Sequence, residues 1–215
     1  MKTTAPTFPV YRLTRVLSRL LLTIWNRFES HGSEHVPPAG GCVIASNHAS
    51  FLDPPVLGVG IRVRVVRFLG RDTLYRSRFM RWYLPAIGVV PLDRSRGDIG
   101  ALRKAIQLLK GGEVLGLFPE GTRTTDGRLQ PPKGGIGFLI AKAGVPVVPA
   151  YVDGTFQAFP RHARGIKPAR IRVFYGPPIQ PAEVAALAGA DDGYLKIGRL
   201  VMDRITALKP SADTP

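Results

Sequence analysis

The stretch SNHASFLDPP, residues 46–55, sets His48 and Asp53 five positions apart, just past an apolar run. A neutral imidazole is suited to taking a proton near physiological pH. It works best when a carboxylate holds its other nitrogen and fixes the tautomer. Five residues across a turn can bring Asp53 to that nitrogen, but spacing alone leaves a second role open. Asp followed by Pro also starts helices, with Asp53 as N-cap and Pro54 at the first helical position. The roles are compatible, because one carboxylate oxygen can cap while the other faces the ring. A serine nucleophile is a weak reading: Ser46 and Ser50 lie two residues from the base, and there is no G-x-S-x-G elbow. The histidines His31, His35, His48 and His162 show no metal-ligand spacing, and neither G-x-G-x-x-G nor a P-loop occurs. No metal and no resident cofactor are expected.

A second cluster lies in FPEGTRT, residues 118–124. Gly121, just after an apolar run, lets backbone N–H groups approach an anion closely. Arg123 can grip a phosphate bidentately. Glu120 could orient that arginine or hold the turn. The plain alternative is a surface turn with a local Glu–Arg pair. Arg94, ending GVVPLDR, and Lys133, in PPKGG, add two more cations in loops.

The elements that must carry these loops can be read from periodicity. CVIAS (42–46), RVRVVRFLG (62–70), GVVPLDR (88–94), VLGLF (114–118), VPVVPAYV (145–152) and RIRVFYG (170–176) read as strands. Residues 31–41 read as a loop. Helical patterns cover residues 74–87, the stretch after a cap at Asp98, residues 134–143, and most of 181–209. This alternation predicts an α/β fold with a mixed, largely parallel sheet covered by helices on both faces. Ligands collect beyond strand C-termini in such sheets, which singles out the loops Asn47–Asp53, Asp93–Arg96 and Pro119–Thr125.

Ahead of the sheet, residues 9–28 have helical period, with Val10, Leu13, Leu17, Leu21, Ile24 and Phe28 on one face and Arg12, Arg15 and Arg19 elsewhere. Such a stripe usually packs on a core. Flanking arginines, Tyr11 and Trp25 suit an amphipathic helix at a membrane interface equally well. The division expected is a membrane-associating helix over 1–30 and a catalytic domain over 31–215. No stretch reaches the roughly 18–20 apolar residues of a spanning helix, and no cleavage site follows LLLTIW (20–25).

Lys and Arg number 30 against 15 Asp and Glu, a net charge of +15. Nucleic acid, an anionic membrane surface and phosphorylated substrates would all suit that balance. No nucleic-acid motif appears, so no nucleic-acid partner is expected. Cys42, the single cysteine, excludes an intrachain disulfide and reads as a small buried hydrophobe.

The motifs together resemble the 1-acyl-glycerol-3-phosphate acyltransferase (lysophosphatidic acid acyltransferase) family of membrane-associated glycerolipid enzymes. Four ordered blocks carry the likeness: N-H-x-x-x-x-D at Asn47, His48 and Asp53; GVVPLDR ending at Arg94; FPEGTRT; and VPVVPA at 145–150. Thr124 stands where the family has serine, and Pro91 where a bulky apolar residue is common. The resemblance implies that His48 deprotonates an acceptor hydroxyl, with Asp53 orienting it. The hydroxyl would attack the thioester of acyl-CoA or acyl-carrier protein without an acyl-enzyme. It implies further that Glu120, Gly121, Arg123 and Arg94 contact the glycerophosphate end of a lysophospholipid acceptor. Asn47, Thr122 and Lys133 are counted with them as substrate-binding. The implied setting is peripheral or monotopic, on the cytoplasmic face of the cell membrane. A lipid-binding protein without catalysis is the competing class, and the intact His48, Asp53, Glu120 and Arg123 argue against it.

Overall fold

Along Cys42–Ser46, alternate side chains enter two different cores. Cys42 and Ile44 join Val56, Leu57, Val148 and Val173, while Val43 and Ala45 join Leu115, Ile140, Ile197 and Val201. A strand buried at every position belongs inside a sheet covered on both faces. The computed structural model, which describes residues 8–92 and 97–211, has that arrangement. Its strands are β1 (Glu29–His31), β2 (Cys42–Ser46), β3 (Val66–Arg71), β4 (Val89–Leu92), β5 (Val114–Leu117), β6 (Val147–Asp153) and β7 (Arg172–Tyr175), in the order β1-β7-β6-β2-β5-β3-β4. Every neighbouring pair is parallel except β6 and β7. The sheet is mixed and largely parallel, as the alternation of elements implied.

Helices α1 (Phe8–Asn26) and α2 (Asp53–Gly60) cover one face. Helices α4 (Gly97–Lys110), α5 (Gly135–Ala143), α7 (Pro181–Ala188) and α8 (Gly193–Thr206) cover the other. Helix α3 (Arg78–Ala86) packs beside β4 and α1, and α6 (Thr155–Ala158) is one turn after β6. Ala45 is in register with Leu117 of β5, and Ser46 with Ala150 of β6. The chain therefore leaves β2, β5 and β6 at the same edge, and three loops meet there.

Some details depart from the sequence reading. β1 was not anticipated, because three polar residues carry no periodicity; its backbone pairs with β7. β3 starts at Val66 rather than Arg62. The Arg64 guanidinium turns away to the carbonyls of Pro37, Gly40 and Gly112, and Val63 is left exposed. α4 begins at Gly97, one residue ahead of the cap expected at Asp98. The loop Asp93–Arg96, and with it Arg94, lies outside the described residues.

α1 forms as expected, with most of its apolar stripe turned outward rather than packed on the core. Tyr11, Leu22 and Asn26 are buried, whereas Leu13, Val16, Leu17, Leu20, Leu21, Ile24 and Trp25 are exposed. Arg15 reaches the carbonyls of Ile61 and Arg62, and Arg19 that of Val59. These arginines meet the end of α2, where unsatisfied carbonyls and the helix dipole favour cations.

Candidate active site

The loop after β2 is held by side chains that act as backbone. The Asn47 amide accepts from Val152 N at 2.8 Å and donates to Val152 O at 2.9 Å. It extends the β2–β6 ladder by one step while the chain itself turns away. Both polar ends of Asn47 are thus taken up by β6 rather than directed at a substrate.

His48 follows. Its Nδ1 lies 2.8 Å from Asp53 Oδ2. A carboxylate carries no proton to give, so Nδ1 donates and Nε2 is left as the acceptor. The ring stacks on Phe118, at the end of β5, with centroids 3.9 Å apart. It is partly exposed, with 18% of its side-chain surface open to solvent, so a reactant can reach it.

Asp53 has no exposed surface. Its Oδ2 also accepts from the backbone N–H groups of Ala49 (2.6 Å) and Ser50 (2.7 Å), and Oδ1 from Thr155 Oγ1 at 2.6 Å. A buried carboxylate is costly unless donors of this kind meet its oxygens. Asp53 is not the helix cap. It is the first residue of α2, Leu52 stands at the N-cap without a side-chain bond, and Pro54 and Pro55 offer no N–H to cap. Sequence reasoning missed Thr155, which lies 102 residues from Asp53 in the chain and belongs to no block. Ser50 is occupied by the Phe159 carbonyl and the Leu52 N–H, and Ser46 by Asn47. Cys42 is buried in β2, and burial pushes its thiol up to about 12.

Glu120 is also buried, but its oxygens meet only backbone: Oε1 accepts from His48 N at 2.7 Å and Oε2 from Gln130 N at 2.8 Å. It ties the β2 loop to the chain entering α5, and does not pair with Arg123. Burial raises its pKa above the ordinary value, opposed by those two N–H groups. Thr124 N donates to His48 O at 2.9 Å, closing the same junction. Gly121 turns the chain with φ +67°, and a Cβ there would come within 2.9 Å of Lys133 Cγ. The Lys133 stem lies over that turn with its side chain exposed, and Thr122 is exposed beside it. The Arg123 guanidinium sits 3.4 Å above the ring of Phe51, from the His48 loop. The structure thus brings His48, Asp53, Glu120, Gly121, Arg123 and Lys133 to one edge of the sheet.

Fold and site place the protein among α/β domains that carry a histidine–carboxylate pair beyond the C-terminal edge of parallel strands. A family model described as Acyltransferase matches residues 27–153, and the chain belongs to that family. A chloroplastic 1-acyl-sn-glycerol-3-phosphate acyltransferase of Brassica napus is 38% identical over 139 residues, which is 63% of this chain and 40% of that protein. The Bacillus subtilis 1-acyl-sn-glycerol-3-phosphate acyltransferase is 27% identical over 178 residues, 83% of this chain and 86% of the relative. This chain therefore spans less than half of the chloroplastic protein and most of the bacterial one. Among solved structures, the 1-acyl-sn-glycerophosphate acyltransferase PlsC of Thermotoga maritima superposes with a TM-score of 0.78 at 26% identity, covering 95% of this chain and 81% of that one.

Proposed function

We propose that this protein is a 1-acyl-glycerol-3-phosphate acyltransferase, moving a fatty acyl group from a thioester to the free hydroxyl of lysophosphatidate to give phosphatidate. Family membership and the named relatives support the reaction class. The observation that carries the chemistry is the His48–Asp53 pair: Nδ1 is committed to a buried carboxylate, so Nε2 is the nitrogen that can take a substrate proton. As the acceptor oxygen attacks the thioester carbon, Nε2 removes its proton and Asp53 stabilises the imidazolium formed. The tetrahedral intermediate collapses to the ester and expels the thiolate, which takes the proton back from His48. No acyl-enzyme is needed. General-base help of this kind is worth about 10²–10⁴-fold. The acceptor phosphate is read by Arg123 and Lys133 around the Gly121 turn, with Arg94 as a third cation.

The substrates reach this edge from a membrane. The apolar face of α1 is turned outward, and Phe79 and Trp82 of α3 are exposed beside it. Tyr83 of α3 donates to Thr14 of α1 at 3.3 Å, joining the two helices. Among the described residues no helix is long and apolar enough to cross a bilayer. Together α1 and α3 form an interfacial platform that rests on one leaflet.

A thiol-release assay with acyl thioesters and lysophosphatidate, with phosphatidate identified as product, tests the reaction. Thiol release that no phosphorylated lyso-acceptor stimulates would reject it. For the platform, Leu17→Glu with Leu21→Glu should abolish vesicle flotation without lowering thermal stability, since both side chains already face solvent. Unchanged flotation would place the membrane contact elsewhere.

A further inference from the structure

A concave surface next to the catalytic loop belongs to none of the four blocks. It has a volume of about 560 Å³, and Thr125 forms one wall while residues 160–167 form the rest. That volume falls in the range of small-molecule sites, roughly 300–1,000 Å³. Its lining joins the apolar Pro160, Ala163 and Ile166 to the basic Arg161, Arg164 and Lys167, with His162 between them. The neighbouring Arg170 and Arg172 are paired with Glu29 and Asp153. Among the described residues, no ion pair joins Arg161, Arg164 or Lys167.

The segment is held in place at both ends. Ser50 Oγ donates to Phe159 O at 2.7 Å, Lys167 N to Ala158 O at 2.8 Å, and Asn26 Nδ2 to Lys167 O at 3.1 Å. Thr125 follows Thr124, whose N–H lies 2.9 Å from His48 O. One residue step is about 3.8 Å, so the near wall lies within about 8 Å of the His48 backbone. Arg161, Arg164 and Lys167 stand on a different loop from Arg123 and Lys133. If those two take the acceptor's phosphate, the charge of the second substrate needs its own cations.

We propose that this cleft binds the phosphorylated adenosine diphosphate end of a coenzyme A thioester. Apolar lining residues suit a purine ring, and the unpaired cations among them suit several phosphate charges. A bare phosphate or a bilayer headgroup would have no use for the apolar part of the lining. The pantetheine arm, an extended chain, then runs from the cleft to the thioester at His48. The assignment deepens the acyltransferase reading and rests on it for the identity of the nucleotide's carrier.

The test uses the full chain and the triple variant Arg161→Gln, Arg164→Gln, Lys167→Gln, whose side chains are all exposed. Titration with adenosine 3′,5′-bisphosphate should show binding to the wild type that the variant weakens at least about 10-fold, a modest sum for three solvent-screened charge contacts. In turnover, the KM for acyl-CoA should rise about 10-fold at unchanged kcat. Kinetics with an S-acyl-N-acetylcysteamine donor, which lacks the nucleotide, should not change. Absence of nucleotide binding, or equal binding by both proteins, overturns the proposal. So does an equal loss with the short donor. Loss of flotation on vesicles of phosphatidylglycerol and phosphatidylcholine with an unchanged acyl-CoA KM would assign the cations to the bilayer instead. Loss confined to acyl-carrier protein as donor would assign them to that protein. Nucleotide binding through these residues in a chain that acylates no acceptor would keep the cleft and reject the acyltransferase reading.

Discussion

Asp53 and Glu120 are carboxylates sunk beyond the ends of neighbouring strands, with relative exposures of 0% and 2%, yet they hold different things. Asp53 gathers two backbone N–H groups, a threonine hydroxyl and an imidazole nitrogen. Among the described residues, Glu120 gathers two backbone N–H groups from separate loops. Burial and full hydrogen bonding are therefore common to both and do not mark a reacting group. What distinguishes Asp53 is one partner, the His48 imidazole, that is itself partly exposed. Asp53 fixes a side chain with chemistry left to do, while Glu120 fixes the backbone on which that side chain stands.

The largest effect that bears on this contrast comes from His48→Ala. It should lower kcat by about 10²–10⁴-fold, the span of general-base catalysis. Asp53 would keep Ala49, Ser50 and Thr155 as donors, so the melting temperature should change little. An active, folded His48→Ala protein would leave Asp53 with no more claim on the chemistry than Glu120.

The two carboxylates can then be compared through the same change, acid to amide. In Asp53→Asn, the amide oxygen can stay on the three donors at Oδ2 and the NH₂ can face Thr155, whose hydroxyl also accepts. The fold should survive, and kcat should fall about 10²-fold as the imidazolium loses its counter-charge. In Glu120→Gln no such arrangement exists, because both oxygens face backbone N–H groups and the NH₂ must meet one of them. An unsatisfied buried donor costs about 1–3 kcal/mol. Urea unfolding and steady-state kinetics on both variants would show whether activity and stability separate as stated. Parallel losses in the two would collapse the distinction.

Arg123→Lys tests the substrate side of the same edge. The guanidinium lies flat on Phe51, and lysine reproduces neither that stack nor a bidentate grip on phosphate. A 10-fold or somewhat larger rise in KM is expected for a phosphomonoester acceptor, with a much smaller one for a matched acceptor lacking the phosphate. Equal losses with both would mean that Arg123 only props Phe51 and the His48 loop.

Much of this was legible in the chain. The buried strands and the order of elements follow from local patterns of apolar run and turn, while spacing left the His48–Asp53 relation open and only the family resemblance implied it. The parts that were not legible depend on contacts distant in sequence. Nothing near Thr155 announces that it will face Asp53, and nothing in FPEGTRT says that Glu120 will turn from Arg123 toward the His48 backbone. The orientation of α1 was left open by the sequence, which suits a core-packed and an outward-facing helix alike. Its periodicity is that of any amphipathic helix, and α8 buries Ile197, Val201 and Ile205 with a similar pattern. α1 instead points its apolar side outward, because Arg15 and Arg19 are drawn to the carbonyl end of α2.

The smallest effect concerns the charge state of Glu120. Burial raises its pKa above the ordinary 4.5, while the N–H groups of His48 and Gln130 pull the other way. A group whose folded pKa exceeds its unfolded value favours the fold when protonated. Its contribution is fully present below the unfolded value and is lost as pH rises through the folded one. Glu120→Gln is neutral throughout and lacks this dependence. The stability gap between wild type and variant should therefore be widest at the acid end and narrow as pH rises above 4.5, read by urea unfolding at a series of pH values. A gap that widened instead would mean that the two N–H donors outweigh burial, and that Glu120, like a paired surface carboxylate, holds the fold through its charge.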